Sequence, residues 1–268
     1  MNQTPNPQPV VVHVRDLAIG YEPALPLLDN IEFDVRSGEI FAIMGPSGCG
    51  KTTLFRHLIG LKKPQKGTLE VLGCDLGRAT RADLYDLRRK IGVAFQQGAL
   101  INSMSLIDNV ALPLIQHTKL DKMTIQIMSR MKLEMMGLLE AESKMPAQLS
   151  GGMLKRAGLA RAVVMDPQIL FFDEPSAGLD PAASAELDDL LLQLRDLLNI
   201  TIIFVTHDLD SALKIADRVM VLADGGIAAL GTVEAINQTD SATVQALLHR
   251  RAGRARLHGD DYIDQLTN

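Results

Sequence analysis

The string GPSGCGKT, Gly45 to Thr52, constrains this chain more than any other stretch. It matches the pattern G-x-x-x-x-G-K-[ST], with Gly45, Gly50, Lys51 and Thr52 on the fixed positions. An apolar run, Ile40 to Met44, leads into it and an amphipathic run, Thr53 to Leu61, leads away, so strand, loop and helix are expected in that order. Glycines at 45, 48 and 50 let a backbone wrap an anion and aim successive N–H groups at it. The helix behind would add the positive end of its dipole. Lys51 can reach terminal phosphates and the Thr52 hydroxyl can hold Mg²⁺. Pro46, Ser47, Cys49 and Thr53 complete the set of phosphate-binding candidates in and beside the loop. Cys49 lies near a helix N-terminus and Lys51, both of which favour a thiolate; a small residue filling the loop is the plainer reading. The expectation is a nucleoside triphosphate site.

With 268 residues the chain has room for one large domain, or a domain with a subdomain. Its net charge of −5 gives no global reason to expect nucleic acid or an anionic surface as a partner. Cys49 and Cys74 make neither a disulfide framework nor a zinc pattern, which suits a reducing compartment. No apolar run approaches the ~18 residues of a membrane span, and no signal-like segment opens the chain. A cytosolic chain, or one held at a membrane by something else, is expected. Residues 1–9 are polar and proline-rich and are expected to be disordered.

Strands are expected at Val10 to Ile19, Ile31 to Val35, Ile40 to Met44, Gly67 to Leu72 and Ile91 to Phe95, with a charged helix at Arg81 to Lys90. From about 103 to 165 the β-branched runs vanish, methionines gather and the spacing becomes helical, which marks an inserted helical subdomain. Met128, Met131 and Met135 fall on one helix face, either adaptable core packing or a docking surface. Strands at Ile169 to Phe172, Ile200 to Val205 and Arg218 to Leu222 then alternate with helices at Pro181 to Leu198 and Leu209 to Ala216. That alternation means a largely parallel sheet covered on both faces. The C-terminal extension, 239–268, carries Arg250, Arg251, Arg254 and Arg256 before an acidic Gly259-Asp260-Asp261-Tyr262, and is expected to be a solvated tail or a partner-binding segment.

Two further strings carry chemistry. In ILFFDEP, four apolar residues end in Asp173, placed to hold Mg²⁺ or its waters, and Glu174, placed to deprotonate an attacking water. In LSGG, Ser150 is a good N-cap and Gly151-Gly152 open a helix N-terminus, a second anion-binding surface.

GPSGCGKT, Gln96, LSGG, ILFFDEP, SAGLD and the His207 of VTHD, taken in order, resemble the ATP-binding domain of ABC transporters from about residue 10 to residue 238. The resemblance implies an α/β fold: a P-loop NTPase core with a mostly parallel sheet, an N-terminal antiparallel β portion and an inserted α-helical subdomain. It also implies ATP with Mg²⁺ as cofactors and a head-to-tail dimer. Each ATP would lie between the phosphate loop of one copy and the LSGG helix of the other. Tyr21 would stack on adenine; Gln96, with Gln97 as competitor, would bind Mg²⁺ and sense a membrane partner. Ser150, Gly151 and Gly152 would reach the γ-phosphate held by the second copy, and Asp180 would sit across the dimer interface. His207 would contact the γ-phosphate, joining Glu174 and Lys51 as catalytic residues. Met153 departs from the family, which usually has glutamine there and so a hydrogen bond that methionine cannot make.

FQQGAL, LSGGM followed by KRAGLARA, and FDEPSAGLDP resemble a narrower group, the Mla-type phospholipid transporters of Gram-negative envelopes. That resemblance implies a peripheral location on the cytoplasmic face of the inner membrane. It also implies permease subunits, a periplasmic lipid-binding subunit and a small STAS-type cytosolic partner. An ABC transporter for another substrate is the alternative. A phosphate-loop kinase, which has no need of LSGG, and a regulatory scaffold that binds ATP without turnover are remoter. DNA-repair relatives need a long inserted coiled coil or a zinc module, for which the spacing from Gln96 to Ser150 and two cysteines leave no room.

Overall fold

The central strand β3, Ile40–Met44, is buried at every residue, so both its faces must be covered by other elements. A computed structural model of the chain describes residues 8–21, 25–239, 241 and 243–247. In it β3 is flanked in parallel by β8, Thr201–Val205, and β9, Arg218–Ala223. β7, Ile169–Asp173, and β6, Ile91–Ala94, extend the parallel arrangement on one side. β10, Gly226–Thr232, closes the other side antiparallel to β9. The order is β10-β9-β3-β8-β7-β6. A second, antiparallel sheet, β2-β1-β4-β5, is built from β1, Val10–Ile19, β2, Leu28–Arg36, β4, Lys66–Val71, and the two-residue β5, Cys74–Asp75.

Alternation along the strands sorts the core into two layers. Phe41 and Ile43, Ile169 and Phe171, and Ile203 and Val205 point toward the antiparallel sheet and α1, Lys51–Leu58. Ile40 and Ala42, Leu170 and Phe172, and Ile202 and Phe204 point the other way. There they meet α6, Pro181–Leu198, and the helical subdomain formed by α3, Leu106–His117, α4, Lys122–Met135, and α5, Gly151–Val163. The α/β class, the antiparallel N-terminal portion and the inserted helices are therefore as the sequence implies. α2, Arg81–Arg88, α7, Leu209–Ile215, and α8, Val233–Asn237, complete the helices used below.

Several boundaries differ from the sequence reading. α1 begins at Lys51 and stops at Leu58, because the chain turns through Gly60 at φ +68° and Leu61 points into solvent. β2 begins at Leu28, and its first residues pair with β1 across a bulge that strict alternation does not reveal. β10 and α8 were not anticipated: β10 is only half-buried, a weak apolar signal at an edge. The methionine face is split, with Met128 and Met135 packed on the core and Met131 61% exposed. Of the expected disordered start, residues 1–7 lie outside the described residues, and Val10 already begins β1. Arg250, Arg251, Arg254, Arg256 and the acidic segment after them also lie outside.

α5 is held against the core by a contact that only glycine permits. A Cβ on Gly158 would sit 2.8 Å from the Gly98 Cα, and one on Gly98 would sit 2.5 Å from the Leu154 carbonyl oxygen. Gly158→Val should therefore lower stability by about 1–3 kcal/mol, the usual range for forced overpacking. A fall in the urea midpoint with an unchanged m-value is the expected result; an unchanged midpoint would mean that this contact does not hold the helix.

Candidate functional site

Parallel pairing aligns the C-terminal ends of β3, β8, β7 and β6 along one edge of the sheet, where ligands bind in open α/β folds. β3 runs straight into the phosphate loop. Gly45 has φ +147° and a Cβ there would fall 2.2 Å from the Leu222 carbonyl oxygen of β9, so no other residue fits. Gly50 caps α1 with φ +105° and no side-chain hydrogen bond, leaving the helix's first N–H groups for an anion. Lys51 is buried, and its Nζ donates to the Gly45 and Pro46 carbonyls at 2.8 and 3.0 Å. The ammonium thus already lies over the loop. Ser47, Gly48 and Thr52 are exposed, while Cys49 is half-buried against the core under Gly45.

The Tyr21 ring is 65% exposed yet anchored beside this loop. Its Oη lies 3.1 Å from Thr53 Oγ1 on α1, and Lys62 Nζ stands 4.3 Å from the ring centroid. An aromatic fixed at its tip and largely exposed can stack on a planar base by the face that Lys62 does not cover.

At the end of β7 the Asp173 Oδ1 is buried without a hydrogen-bond partner. Burial pushes the Asp173 carboxyl up from its ordinary range and the neighbouring Glu174 adds to this, against the pull of Arg56 and Lys51. A buried carboxylate oxygen lacking a donor is an unfavourable state that a bound cation relieves. Mg²⁺ is usually held by one or two protein oxygens together with substrate phosphates. Asp173, the Thr52 hydroxyl and the Gln96 amide oxygen are donors of that hard kind, so these residues fit the ion. No group of three or more His, Cys, Asp or Glu among the described residues makes a protein-only metal cage.

Glu174 and His207 come from adjacent strand ends and meet: His207 Nδ1 is 2.8 Å from Glu174 Oε2. The His207 backbone N–H also donates to Oε2, at 3.4 Å. The Glu174 backbone sits at φ +51°, a left-handed conformation uncommon for a non-glycine residue. Gln96 and Gln97 both lie just past β6 and both are exposed, so exposure does not separate them.

The LSGG segment stands apart. Ser150 is exposed and its Oγ accepts from the Met153 N–H at 3.3 Å, as an N-cap should. No hydrogen bond or ion pair among the described residues joins residues 150–152 to residues 45–53. Asp180 is likewise exposed and caps α6 through the Ala183 N–H at 3.0 Å. Met153 packs on the apolar cluster.

Three residues that the sequence reading passed over organise this edge. Asn109 is fully buried; its amide donates to the Ile101, Met104 and Ser105 carbonyls and its Oδ1 accepts from the Ile101 N–H. Arg161 donates to the Gly98 and Ala99 carbonyls just after Gln96-Gln97. Lys155, also on α5, donates to carbonyls just after Asp173. The sequence signal for the last two is charge on a helix that, apart from Arg156, is otherwise made of apolar and small residues.

A family model for ABC transporters matches residues 28–177, from β2 through the Glu174 loop. The chain belongs to the ABC transporter family. Its ATP-binding members are ATPases, and this ABC chain has the same cassette fold. Among curated relatives it is 41% identical over 243 residues to the intermembrane phospholipid transport system ATP-binding protein MlaF of Haemophilus influenzae, covering 90% of this chain and 92% of that one. It is 41% identical to MlaF of Escherichia coli K12, covering 83% and 82%. It is 37% identical to a probable ribonucleotide transport ATP-binding protein, mkl, of Mycobacterium leprae, covering 91% of this chain and 70% of that one. Among solved structures, cbiO1 of Clostridium perfringens, part of the ABC transporter complex cbiONQ, superposes with a TM-score of 0.80 at 30% identity, covering 92% and 98%. A dimeric cassette, MJ0796, in a post-hydrolysis state with ADP and Pi superposes with a TM-score of 0.76 at 30% identity, covering 83% and 98%.

The place of Cys49 inside the loop of this ABC chain gives a direct chemical test. Alkylation of Cys49 should abolish binding of a fluorescent ATP analogue, and ATP present beforehand should slow the alkylation. A Cys49 that resists alkylation in the nucleotide-free protein would set the expectation aside.

Proposed function

We propose that this chain is the ATP-hydrolysing subunit of an ABC transporter that moves phospholipid between the inner and outer membranes of a Gram-negative envelope. The observation that carries the substrate is the 41% identity to MlaF of Haemophilus influenzae over nearly the full length of both chains. An ABC transporter for another substrate is the second reading, favoured by the 37% identity to a relative named for ribonucleotide transport. Purifying the subunit with its native membrane partners and identifying the copurified small molecules separates the two: phospholipid is expected, and its absence with a nucleotide in its place would favour the second. No helix among the described residues is long and apolar enough to cross a membrane. The subunit would therefore be held on the cytoplasmic face of the inner membrane by permease subunits. A periplasmic lipid-binding subunit and a small STAS-type cytosolic protein would complete the complex.

ATP binds with its base against Tyr21 and its phosphates over the 45–52 loop, where Lys51 exchanges its loop carbonyls for β- and γ-phosphate oxygens. Mg²⁺, held by Thr52, Asp173 and Gln96, would neutralise phosphate charge. Glu174 takes a proton from the water that attacks the γ-phosphorus as the bond to the bridging oxygen breaks and ADP leaves. His207 leaves Glu174 to reach the γ-phosphate. Ser150, Gly151 and Gly152 serve the nucleotide of a second copy, with Asp180 at the interface between copies. The support is that Ser150, Gly151 and Asp180 are exposed and Gly152 half-buried, that no hydrogen bond among the described residues joins 150–152 to their own phosphate loop, and that the related cassette MJ0796 is dimeric.

Glu174→Gln should slow turnover by roughly 10²- to 10⁴-fold, the usual contribution of a general base, while ATP binding persists and the dimer stays closed. Phosphate release at the normal rate from that variant would remove Glu174 from the mechanism. The wild-type specific activity should rise with subunit concentration. A rate independent of concentration at high dilution would instead mean that one copy suffices.

A further inference from the structure

Three lysines are buried to a similar degree, and two have evident tasks. Lys51 serves the phosphate loop, and Lys132 pairs with Asp166 at 2.6 Å. Lys155, 5% exposed, has no carboxylate within ion-pair distance among the described residues. Its Nζ faces three backbone carbonyls instead: Glu174 at 3.2 Å, Pro175 at 2.5 Å and Ala177 at 2.6 Å. An ammonium has three donors, and here each finds an acceptor on one short loop. Burial pushes the Lys155 pKa down to about 8, against the attraction of the Glu174 charge, so the ammonium persists at neutral pH.

The loop it grips is strained. Glu174 has φ +51° and is followed by Pro175, whose ring further restricts the residue before it. A backbone in such a conformation persists only where its surroundings impose it. On one side the Glu174 N–H is held by the Val205 carbonyl at 2.8 Å, and Lys155 supplies the opposing hold on the carbonyl side. We infer that Lys155 is a positioning residue for ATP hydrolysis: from the helix that begins at Ser150, it clamps the strained backbone that aims the Glu174 carboxylate. The inference rests on the role proposed above for Glu174. It adds that the helix presenting Ser150 to a second copy also fixes the base in its own copy, so a movement of α5 reaches both nucleotides.

The test is a double-mutant cycle in the full-length protein, reading kcat, the KM for ATP and the thermal midpoint. Lys155→Met keeps the length and apolar stem but removes the donors. Its kcat should fall roughly 10- to 100-fold, the scale on which misplacing a reacting group by about 1 Å acts, with KM changed less than twofold. Lys155→Arg, which restores charged donors, should recover most of the rate. In a Glu174→Gln background the same Lys155→Met change should have little further effect, because the group it positions is already gone. An equal fold-loss in both backgrounds, or no loss of kcat in a folded Lys155→Met protein, overturns the inference. If Lys155→Met fails to fold, Lys155→Gln enters the same cycle and is judged by the same two outcomes. A Glu174→Gln protein with wild-type turnover would instead refute the proposed base, a result distinct from any in the Lys155 arm.

Discussion

Parallel pairing of four strands is the constraint on which this molecule depends. β6 with β7, β7 with β8, and β8 with β3 all run in the same direction and in matched register. Their C-terminal ends therefore deliver Gln96, Asp173 with Glu174, Thr206 with His207, and the 45–52 loop to one edge. A one-residue slip of β7 would turn Phe172 and Phe171 to the wrong layers and carry Asp173 out of place with them. Core packing and site geometry are thus set by the same register. Adjacent acids at a strand end are commonly just solvated charge. Here burial leaves an Asp173 oxygen without a donor, and the neighbouring strand brings His207 against Glu174.

The helical subdomain is joined to that edge by polar contacts as well as by apolar packing. Asn109, Arg161 and Lys155 all satisfy backbone carbonyls of loops that leave the sheet, and Gly98 and Gly158 let two backbones touch. A buried carbonyl without a partner is costly, so each of these side chains ties a loop's shape to the position of a helix. The arrangement gives α5 contact with both the segment after Gln96 and the segment after Asp173. No hydrogen bond or ion pair among the described residues joins its N-terminus to its own phosphate loop.

Much of this is legible in the sequence. The glycine pattern and Lys51-Thr52 specify an anion-binding loop because few other residues tolerate its backbone angles or reach a phosphate. Ile40 to Met44 and Ile169 to Phe172 announce doubly buried strands because they contain no polar residue to face water. Strand and helix boundaries were less clear where the signal is weak: β10 is half-buried at a sheet edge, and the bulge in β2 breaks the period of two. The methionine spacing marks the helix α4 but could not say that its expected face is split, with Met131 uncovered, since burial depends on what packs opposite.

Sequence alone determined the family, the phosphate loop, the acidic strand end and the helix cap at Ser150, because each is a local pattern whose chemistry is carried by neighbouring residues. Tertiary structure alone decided that His207 lies against Glu174, that Asp173 has an unpartnered oxygen and that Lys155 grips the Glu174 loop. Those facts join residues distant along the chain, and their energies depend on exclusion of water and on the direction of individual carbonyls. No local pattern of residue types encodes either.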